Sequence, residues 1–199
     1  MINRELFNAK SMNFDNEQYY ALYLSLLGDN NSRKNTPRKR DVLPELVLVL
    51  SSICNMRCTY CFASYGQYSR EAPKYMSLDI AKLAIEKSFK TFRYIEVIKL
   101  YGGEPTLNST VVLEICKFLI ELKEKGIIEK LPKVGLISNL TNLTEELIES
   151  ITSYGITLFA SFDGPKEVHD KQRIFAGGAG SYDTVTENNL TSLCFINEN

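Results

Sequence analysis

The chain has 199 residues, of which 44% are hydrophobic and 24% are charged, a composition that predicts a globular protein with one main domain. A formal net charge of −1 gives no reason to expect a nucleic acid or an acidic membrane surface as a partner. Because no apolar run reaches the roughly 18 residues of a membrane span and no signal-peptide core stands at the start, we expect a cytoplasmic protein with no membrane partner.

Residues 1–40 predict a small helical appendage followed by a basic linker. Asp15 and Gln18 form a capping pair ahead of a stripe of tyrosines and leucines, and Gly28 ends the helix. Residues 29–40 hold five basic side chains around one proline, which is typical of a solvated linker. A basic patch that binds an acidic partner is the alternative. We therefore assign residues 1–40 to the appendage and linker and residues 41–199 to the core.

Four strands alternate with helices in the core. The continuous apolar run Leu46–Leu50 predicts a first strand that is buried on both faces. Further strands are predicted near Ile95–Tyr101, Val134–Ser138 and Thr157–Phe162. Helices are predicted from Ser77, over Ser109–Lys125, from Thr144 to Gly155 and from Ser181 toward Leu193. This alternation predicts an α/β fold of parallel strands joined by right-handed crossovers, with functional residues at the carboxyl ends of the strands.

A cysteine loop follows the first predicted strand. Cys54, Cys58 and Cys61 have the spacing CxxxCxxC, so three thiolates can converge on one small metal group. Structural zinc sites normally have four ligands, and the two further cysteines and the one histidine of the chain are not obviously placed to supply a fourth. An iron–sulfur cluster fits better, because a missing fourth thiolate leaves one iron free to bind a small molecule. Zinc and plain buried cysteines stay open as alternatives.

The cysteine loop, with Tyr60 before its third cysteine, resembles the signature of the radical S-adenosylmethionine superfamily. After the second predicted strand, Gly102-Gly103-Glu104-Pro105 looks like the GGEP motif of that family, whose backbone and carboxylate meet the amino end of the cofactor's methionine. Glycines allow a ligand to approach the backbone closely, so Gly103→Val is expected to weaken cofactor binding without emptying the cluster. The resemblance implies a 4Fe-4S cluster on the three cysteines and S-adenosylmethionine beside it. It also implies a partial, half TIM-like barrel made of the N-terminal half of the family's core.

The fourth predicted strand ends in Ser161-Phe162-Asp163-Gly164-Pro165, followed by His169-Asp170 and Arg173. This segment resembles the peptide- and protein-modifying branch of the superfamily, which includes the sulfatase maturases and is of the SPASM type. In that branch the serine and the later arginine help to hold the ribose and carboxylate of the cofactor, which implies these roles for Ser161 and Arg173. The alternative is a simple turn in which Asp163 bonds its own backbone. His169 is expected to make a structural hydrogen bond within a polar turn.

The third predicted strand ends in Ser138-Asn139-Leu140, where enzymes of this family commonly have threonine, asparagine and glycine. By the resemblance, Asn139 is a cofactor contact. A leucine resists the positive φ and the close backbone approach that glycine permits, so Leu140 puts the local loop and this contact in question.

The resemblance covers about Leu46 to Ser192 and implies reductive cleavage of S-adenosylmethionine to start hydrogen abstraction from a peptide or protein substrate. It also implies a one-electron donor such as a flavodoxin or ferredoxin. A chain that completes the barrel is a further expected partner, because the last predicted strand has an unpaired edge. In isolation we expect association of the chain and slow, uncoupled cofactor cleavage. The alternatives to an enzyme are a truncated, non-catalytic cluster-binding remnant and a zinc-binding interaction module.

Overall fold

The computed structural model describes residues 40–67 and 74–188. The chain divides into two units, and every described residue belongs to the second, Lys39–Asn199. The predicted appendage and nearly all of the predicted linker lie outside the described residues, so the division at residue 40 stays a prediction.

A parallel sheet of four strands in the order β1-β2-β3-β4 forms the frame of the described residues. The strands are β1 (Arg40–Ser51), β2 (Phe92–Gly102), β3 (Lys133–Ser138) and β4 (Thr157–Ala160). The helices are α1 (Leu78–Thr91), α2 (Ser109–Glu124), α3 (Glu145–Ser153) and α4 (Lys166–Gln172), with a 3-10 turn at Pro105–Asn108. Parallel neighbours need long connections, and α1, α2 and α3 supply them in turn. The predicted α/β fold of successive parallel β/α units is confirmed, and it is that of a partial TIM-like barrel.

Capping residues define where the helices begin and end. The hydroxyl of Ser77 accepts a hydrogen bond from Ile80 N, and that of Thr144 accepts one from Leu147 N, so both are N-caps, as predicted. Gly126 and Gly155 have φ values of +68° and +66° directly after α2 and α3. The left-handed region suits glycine, and these two residues end the helices at the predicted places.

The hydrophobic core lies between one face of the sheet and the helices. Leu48 and Leu50 on β1 are 2% and 0% exposed and belong to this core. The prediction that β1 is buried on both faces is wrong, since Val47 and Val49 are 45% and 40% exposed. Successive side chains on a strand point to opposite faces, and among the described residues the helices pack on only one of them.

The region after β4 differs from the predicted elements. The strand ends at Ala160, although Ser161 N still donates to Ser138 O on β3 (2.9 Å). The segment read as a polar turn around His169 is the helix α4. Residues 182–188 are helical directly after Ser181, as predicted, and the rest of that predicted helix lies outside the described residues.

No helix among the described residues is both long and apolar enough to cross a membrane.

The positive φ at Gly155 leads to a stability prediction. Gly155→Ala should lower the free energy of unfolding by about 1 kcal/mol, because an added Cβ meets nothing within 4 Å but must adopt the left-handed region. Gly177→Ala is the matched control, since its Cβ also meets nothing and its φ is not positive. Urea unfolding of both variants measures the difference, and equal midpoints would contradict the role assigned to Gly155.

Candidate functional site

The cysteine loop, residues 54–61, is held in place by backbone pairing with the chain that follows α4. Arg57 N donates to Ile174 O (2.7 Å) and Thr59 N donates to Gln172 O (2.9 Å). Met56, which is 1% exposed, forms an antiparallel bridge with Phe175. The position of the cysteines therefore depends on residues more than 110 positions later in the sequence.

Hydrogen-bond donors point at two of the three cysteine sulfurs. Met56 N donates to Cys54 Sγ (3.4 Å) and Tyr65 N donates to Cys61 Sγ (3.2 Å). The amide of Asn139, which comes from the end of β3, lies 3.8 Å from Cys54 Sγ. Donors directed at sulfur favour the thiolate form, which is the form that binds metal.

Two of the three cysteine thiols have raised pKa values. Burial raises the pKa of Cys54, and it raises the pKa of Cys58, although Arg173 opposes the shift there. Cys54 and Cys58 are therefore costly to ionise alone, which suits metal ligation, in which the metal replaces the proton. Within residues 40–67 and 74–188, no group of three or more His, Cys, Asp or Glu side chains is arranged to hold a single metal ion.

Arg57 lies inside the cysteine loop and braces it. Its Nη1 donates to Cys54 O (3.0 Å) and to Met56 O (2.7 Å). The guanidinium also lies over the ring of Tyr65, 5.0 Å from the centroid. Arg57 cannot be identified from the sequence, because a single arginine between two cysteines carries no spacing signal.

Gly102 and Gly103 at the end of β2 allow the cysteine loop to lie against the strand. A Cβ at Gly102 would lie 2.3 Å from Ser51 O, and one at Gly103 would lie 2.4 Å from Ile53 O and 3.1 Å from Cys54 N. Gly103 N and Glu104 N donate to these same two carbonyls. On the side where a Cβ would stand, the chain's own backbone fills the space, and the contact of these two glycines with a ligand stays a prediction. A valine at Gly103 would therefore displace the cysteine loop, and the expected separation between cluster and cofactor defects is not supported.

The carboxylate of Glu104 is buried and accepts four hydrogen bonds from within the chain. Its Oε1 accepts from Thr106 N, Thr106 Oγ1 and Ser138 Oγ at 2.8–3.1 Å, and its Oε2 accepts from Asn139 N at 2.7 Å. Burial raises the pKa of Glu104, and these four hydrogen bonds act against that rise. The carboxylate joins the end of β2 to the end of β3, and the contact with the cofactor that the GGEP resemblance implies stays a prediction.

Asn139 reaches from β3 to the cysteine loop, and Leu140 adopts the conformation that leucine resists. The Asn139 amide donates to Asn55 Oδ1 (3.0 Å). Leu140 has a φ of +62°, a strain of roughly 1–2 kcal/mol for a residue with a Cβ. Its side chain is 1% exposed, and burial of this size stabilises by about 1.5–3 kcal/mol, which offsets the strain. The departure from glycine is thus compatible with a formed loop and with the position of Asn139.

Asp163 connects Tyr60 to Arg173. The Tyr60 hydroxyl donates to Asp163 Oδ2 (2.5 Å), and Arg173 Nε lies 3.0 Å from Asp163 Oδ1, an ion pair whose N–H is not well aligned for a hydrogen bond. The Arg173 guanidinium also lies over the Tyr60 ring, 5.4 Å from its centroid. The carboxylate of Asp163 thus faces the site, and the alternative of a simple turn, in which it bonds its own backbone, is wrong.

These contacts shift two pKa values in opposite directions. Burial by itself would raise the pKa of Asp163, but the Tyr60 hydroxyl and Arg173 outweigh it and hold that pKa below its usual value. Burial and the hydrogen bond to Asp163 raise the pKa of Tyr60. At neutral pH, Asp163 is therefore an anion between a phenol and a guanidinium.

One cavity of ≈190 Å³ lies at the carboxyl ends of the strands. All ten residues selected from the sequence line it: Cys54, Cys58, Tyr60, Cys61, Gly102, Gly103, Glu104, Asn139, Ser161 and Arg173. They come from the loops after all four strands and from the end of α4. The structure places these residues together, and their roles as metal ligands and cofactor contacts stay predictions.

The sequence predicts only part of what Asp163 and His169 do. The sequence offers for Asp163 only the alternative of a simple turn, because an Asp-Gly-Pro triplet is a strong local turn signal and its partners Tyr60 and Arg173 lie 103 and 10 positions away. His169 makes the expected structural hydrogen bond, with Ser181 Oγ at 3.0 Å, but it does so from a helix and is fully buried.

Glu104 supplies a direct test of the hydrogen bonds between the strand ends. Glu104→Gln should lower the free energy of unfolding by about 2–3 kcal/mol, because the new NH₂ group must face a donor whichever way the amide is turned. Urea unfolding measures the loss. Glu149→Gln, at an exposed position of α3, is the control and should change stability little. A wild-type midpoint for Glu104→Gln would contradict the hydrogen bonding described here.

Comparison with known proteins gives consistent matches. The model of the Radical SAM superfamily matches residues 48–189. A cysteine-type anaerobic sulfatase-maturating enzyme of Clostridium novyi (strain NT) is 29% identical over 149 residues, which are 73% of this chain and 39% of that protein. The solved structure of native anSMEcpe with bound AdoMet is 26% identical, with a TM-score of 0.61, over 75% of this chain and 41% of that one. The structure of native anSMEcpe with bound AdoMet and Kp18Cys peptide is 25% identical, with a TM-score of 0.60, over 76% and 40%. The chain thus spans about two fifths of the length of these relatives.

Proposed function

The chain belongs to the Radical SAM superfamily, whose model matches residues 48–189, and on this basis we propose that it holds a 4Fe-4S cluster and binds S-adenosylmethionine in the ≈190 Å³ cavity. The observation that carries the proposal is that ten residues from separate strand-end loops line this one cavity, three of them the cysteines of the CxxxCxxC loop. When bound, the cluster and cofactor supply reductive cleavage of the cofactor, which starts hydrogen abstraction from a substrate.

In this proposal Cys54, Cys58 and Cys61 would each hold one iron. The N–H donors on Cys54 and Cys61 would stabilise these sulfurs as metal-bound thiolates, and hydrogen bonds to ligand sulfurs also tune the reduction potential of a cluster. Arg57 fixes the loop through its two carbonyl contacts. The protein would thereby supply three thiolates and leave a fourth coordination position to the cofactor.

The remaining cavity residues would bind and orient the cofactor. Tyr60 and Arg173 form one wall, held by Asp163, and Ser161 lies beside them at the end of β4. Arg173 offers the cationic group that a carboxylate requires. Glu104 sets the positions of Ser138 and Asn139, and its Oε2, which accepts only one of the four hydrogen bonds, would also accept from the amino end of the cofactor's methionine.

We further propose a peptide or protein substrate. Support comes from the sulfatase-maturating relative and from the peptide in the anSMEcpe structure that this chain resembles. A one-electron donor such as a flavodoxin or ferredoxin, and a reducing cytoplasmic setting, belong to the same proposal, because an exposed cluster and its cysteines need a reducing compartment.

A cluster-binding module that does not modify a peptide is the second candidate. It is favoured by exposed apolar side chains on the face of the sheet that the described helices do not cover. These are Val47 and Val49 of β1 and Phe159 of β4, each at least 40% exposed. A reactive site needs walls that exclude water and order the substrate. We propose that further strands, or a second chain, cover this face when a peptide is modified.

The three cysteines can be tested by removing them one at a time. Cys54→Ala, Cys58→Ala and Cys61→Ala should each abolish the cluster formed by anaerobic reconstitution with iron and sulfide, because each thiolate holds a separate iron. Iron content and electron paramagnetic resonance after reduction measure the loss. Cys116→Ala is the control and should retain the cluster, because Cys116 is buried on α2 within the hydrophobic core and burial raises its pKa to about 11. Full iron with an unchanged spectrum in Cys58→Ala would remove the basis of the proposal.

Cofactor cleavage separates an enzyme from a binding module. The reconstituted chain with dithionite and S-adenosylmethionine should release 5′-deoxyadenosine, and Arg173→Ala should reduce that release by about tenfold or more through the loss of a charged contact. Arg93→Ala, at a surface ion pair remote from the cavity, is the control. Cofactor binding without any release of 5′-deoxyadenosine would leave the binding module as the function.

Mass spectrometry of cysteine-containing peptides in the same reactions tests whether the substrate is a peptide.

A further inference from the structure

The ion pair of Asp163 and Arg173 is backed by a hydrogen-bond network behind the cavity. Asp163 N donates to Nδ1 of His169 (3.4 Å), and Nε2 of His169 lies 3.0 Å from Ser181 Oγ. Ser181 Oγ in turn donates to Arg173 O (2.8 Å), while Arg173 N donates to His169 O (2.7 Å). His169 and Ser181 are both 0% exposed.

The donors and acceptors of this network allow only one protonation state of His169. A backbone N–H can only donate, so Nδ1 of His169 must accept from Asp163 and carries no proton. The single hydroxyl proton of Ser181 is used toward Arg173 O, so Nε2 of His169 must donate to Ser181 Oγ. The imidazole is therefore neutral, with its proton on Nε2.

The surroundings of His169 favour this neutral form. Burial lowers the pKa of His169 and the charge of Arg173 lowers it further, while Asp163 and Asp170 act in the opposite direction. The rings of Phe162 and Tyr182 pack against the imidazole at centroid distances of 5.0 and 5.8 Å. Apolar rings on these sides offer no hydrogen-bond acceptor to a second ring proton.

The turn around Gly180, which positions Ser181, packs closely against α4. Asp170 Oδ1 accepts from Tyr182 N (2.9 Å), and a Cβ at Gly180 would lie 2.2 Å from Asp170 Cγ. Ile174 and Gly180 form an antiparallel bridge. Since Gln172 and Ile174 accept from the amides of the cysteine loop, this turn and the loop form one connected unit.

We propose that His169 and Ser181 are positioning residues, which hold the backbones of Asp163 and Arg173 so that Tyr60, the cysteine loop and the guanidinium keep their places in the cavity. His169 acts as a neutral imidazole within a hydrogen-bond chain, and it touches no substrate or cofactor. The expected effect on S-adenosylmethionine binding rests on the proposed function. The expected effect on the cysteine loop does not, because it concerns hydrogen bonds within the chain.

The first test reads the protonation state of the wild-type chain without cofactor. The sequence contains one histidine, so a tag-free, ¹⁵N-labelled chain gives imidazole signals that need no assignment. The ¹⁵N shifts at pH 7 should show a protonated Nε2 and an unprotonated Nδ1. A proton on Nδ1, or an imidazolium at pH 7, would overturn the proposal, and no variant needs to fold for this test.

The second test reads the cysteine loop by amide hydrogen exchange in the same cofactor-free chain. Ser181→Ala should speed exchange at the amides of Arg57 and Thr59 by about tenfold, because the loss of one buried hydrogen-bond partner weakens the segment to which they are bonded. Thr186→Val is the matched control: it removes a hydroxyl that bonds only within residues 182–186 and should leave these amides unchanged. Wild-type exchange in Ser181→Ala would overturn the proposal.

Two substitutions of His169 divide its contacts. In His169→Asn the Oδ1 can take the place of Nδ1 and keep the Asp163 contact, while in His169→Gln the amide nitrogen can take the place of Nε2 and keep the Ser181 contact. Each should weaken S-adenosylmethionine binding to the cluster-loaded chain, and loop exchange should be faster in both. Unchanged affinity together with unchanged exchange would contradict a positioning role. If the wild type itself binds no cofactor, the proposed function fails, while the exchange and ¹⁵N measurements still decide the role of His169.

Discussion

The buried carboxylate of Glu104 links the ends of the second and third strands, and the cavity takes its shape from that link. A carboxylate can be buried at acceptable cost only if donors replace its water, and here Thr106, Ser138 and Asn139 supply all four hydrogen bonds. The same bonds fix Asn139, whose side chain then reaches Cys54 and Asn55. One ionisable group therefore connects the sheet to the cysteine loop.

The cysteine loop is held from two opposite sides, and neither side belongs to its own β/α unit. The end of β2 approaches so closely that no Cβ fits at Gly103, while residues 172–176 pair with the loop backbone. Arg57 adds a brace within the loop. Under the proposed function, these contacts would lower the cost of ordering the three ligands when a cluster binds.

The ionisable side chains after β4 form an anion–cation pair at the cavity, Asp163 and Arg173, with a neutral imidazole, His169, behind it. Asp163 is kept anionic by a phenol and a guanidinium, and His169 is kept neutral behind them by burial and by Arg173. Arg173 thus carries a positive charge that faces the cavity from a fixed backbone. This arrangement suits a cofactor that presents a carboxylate near a cluster, and it explains why the loop after β4 is as much a part of the site as the cysteines.

The sequence by itself determined the four strands, the three helices that connect them, the caps at Ser77 and Thr144, and the ends at Gly126 and Gly155, because periodicity and capping are local signals. The ten cavity residues follow from motif spacing together with the resemblance to a known family. Only the tertiary structure decided that Val47 and Val49 are exposed, that Gly103 accommodates the backbone of Ile53, and that Glu104 faces its own chain. It also decided the partners of Asp163 and His169. These features depend on which side of a strand the helices cover and on contacts between residues that are distant in sequence, and no local pattern carries that information.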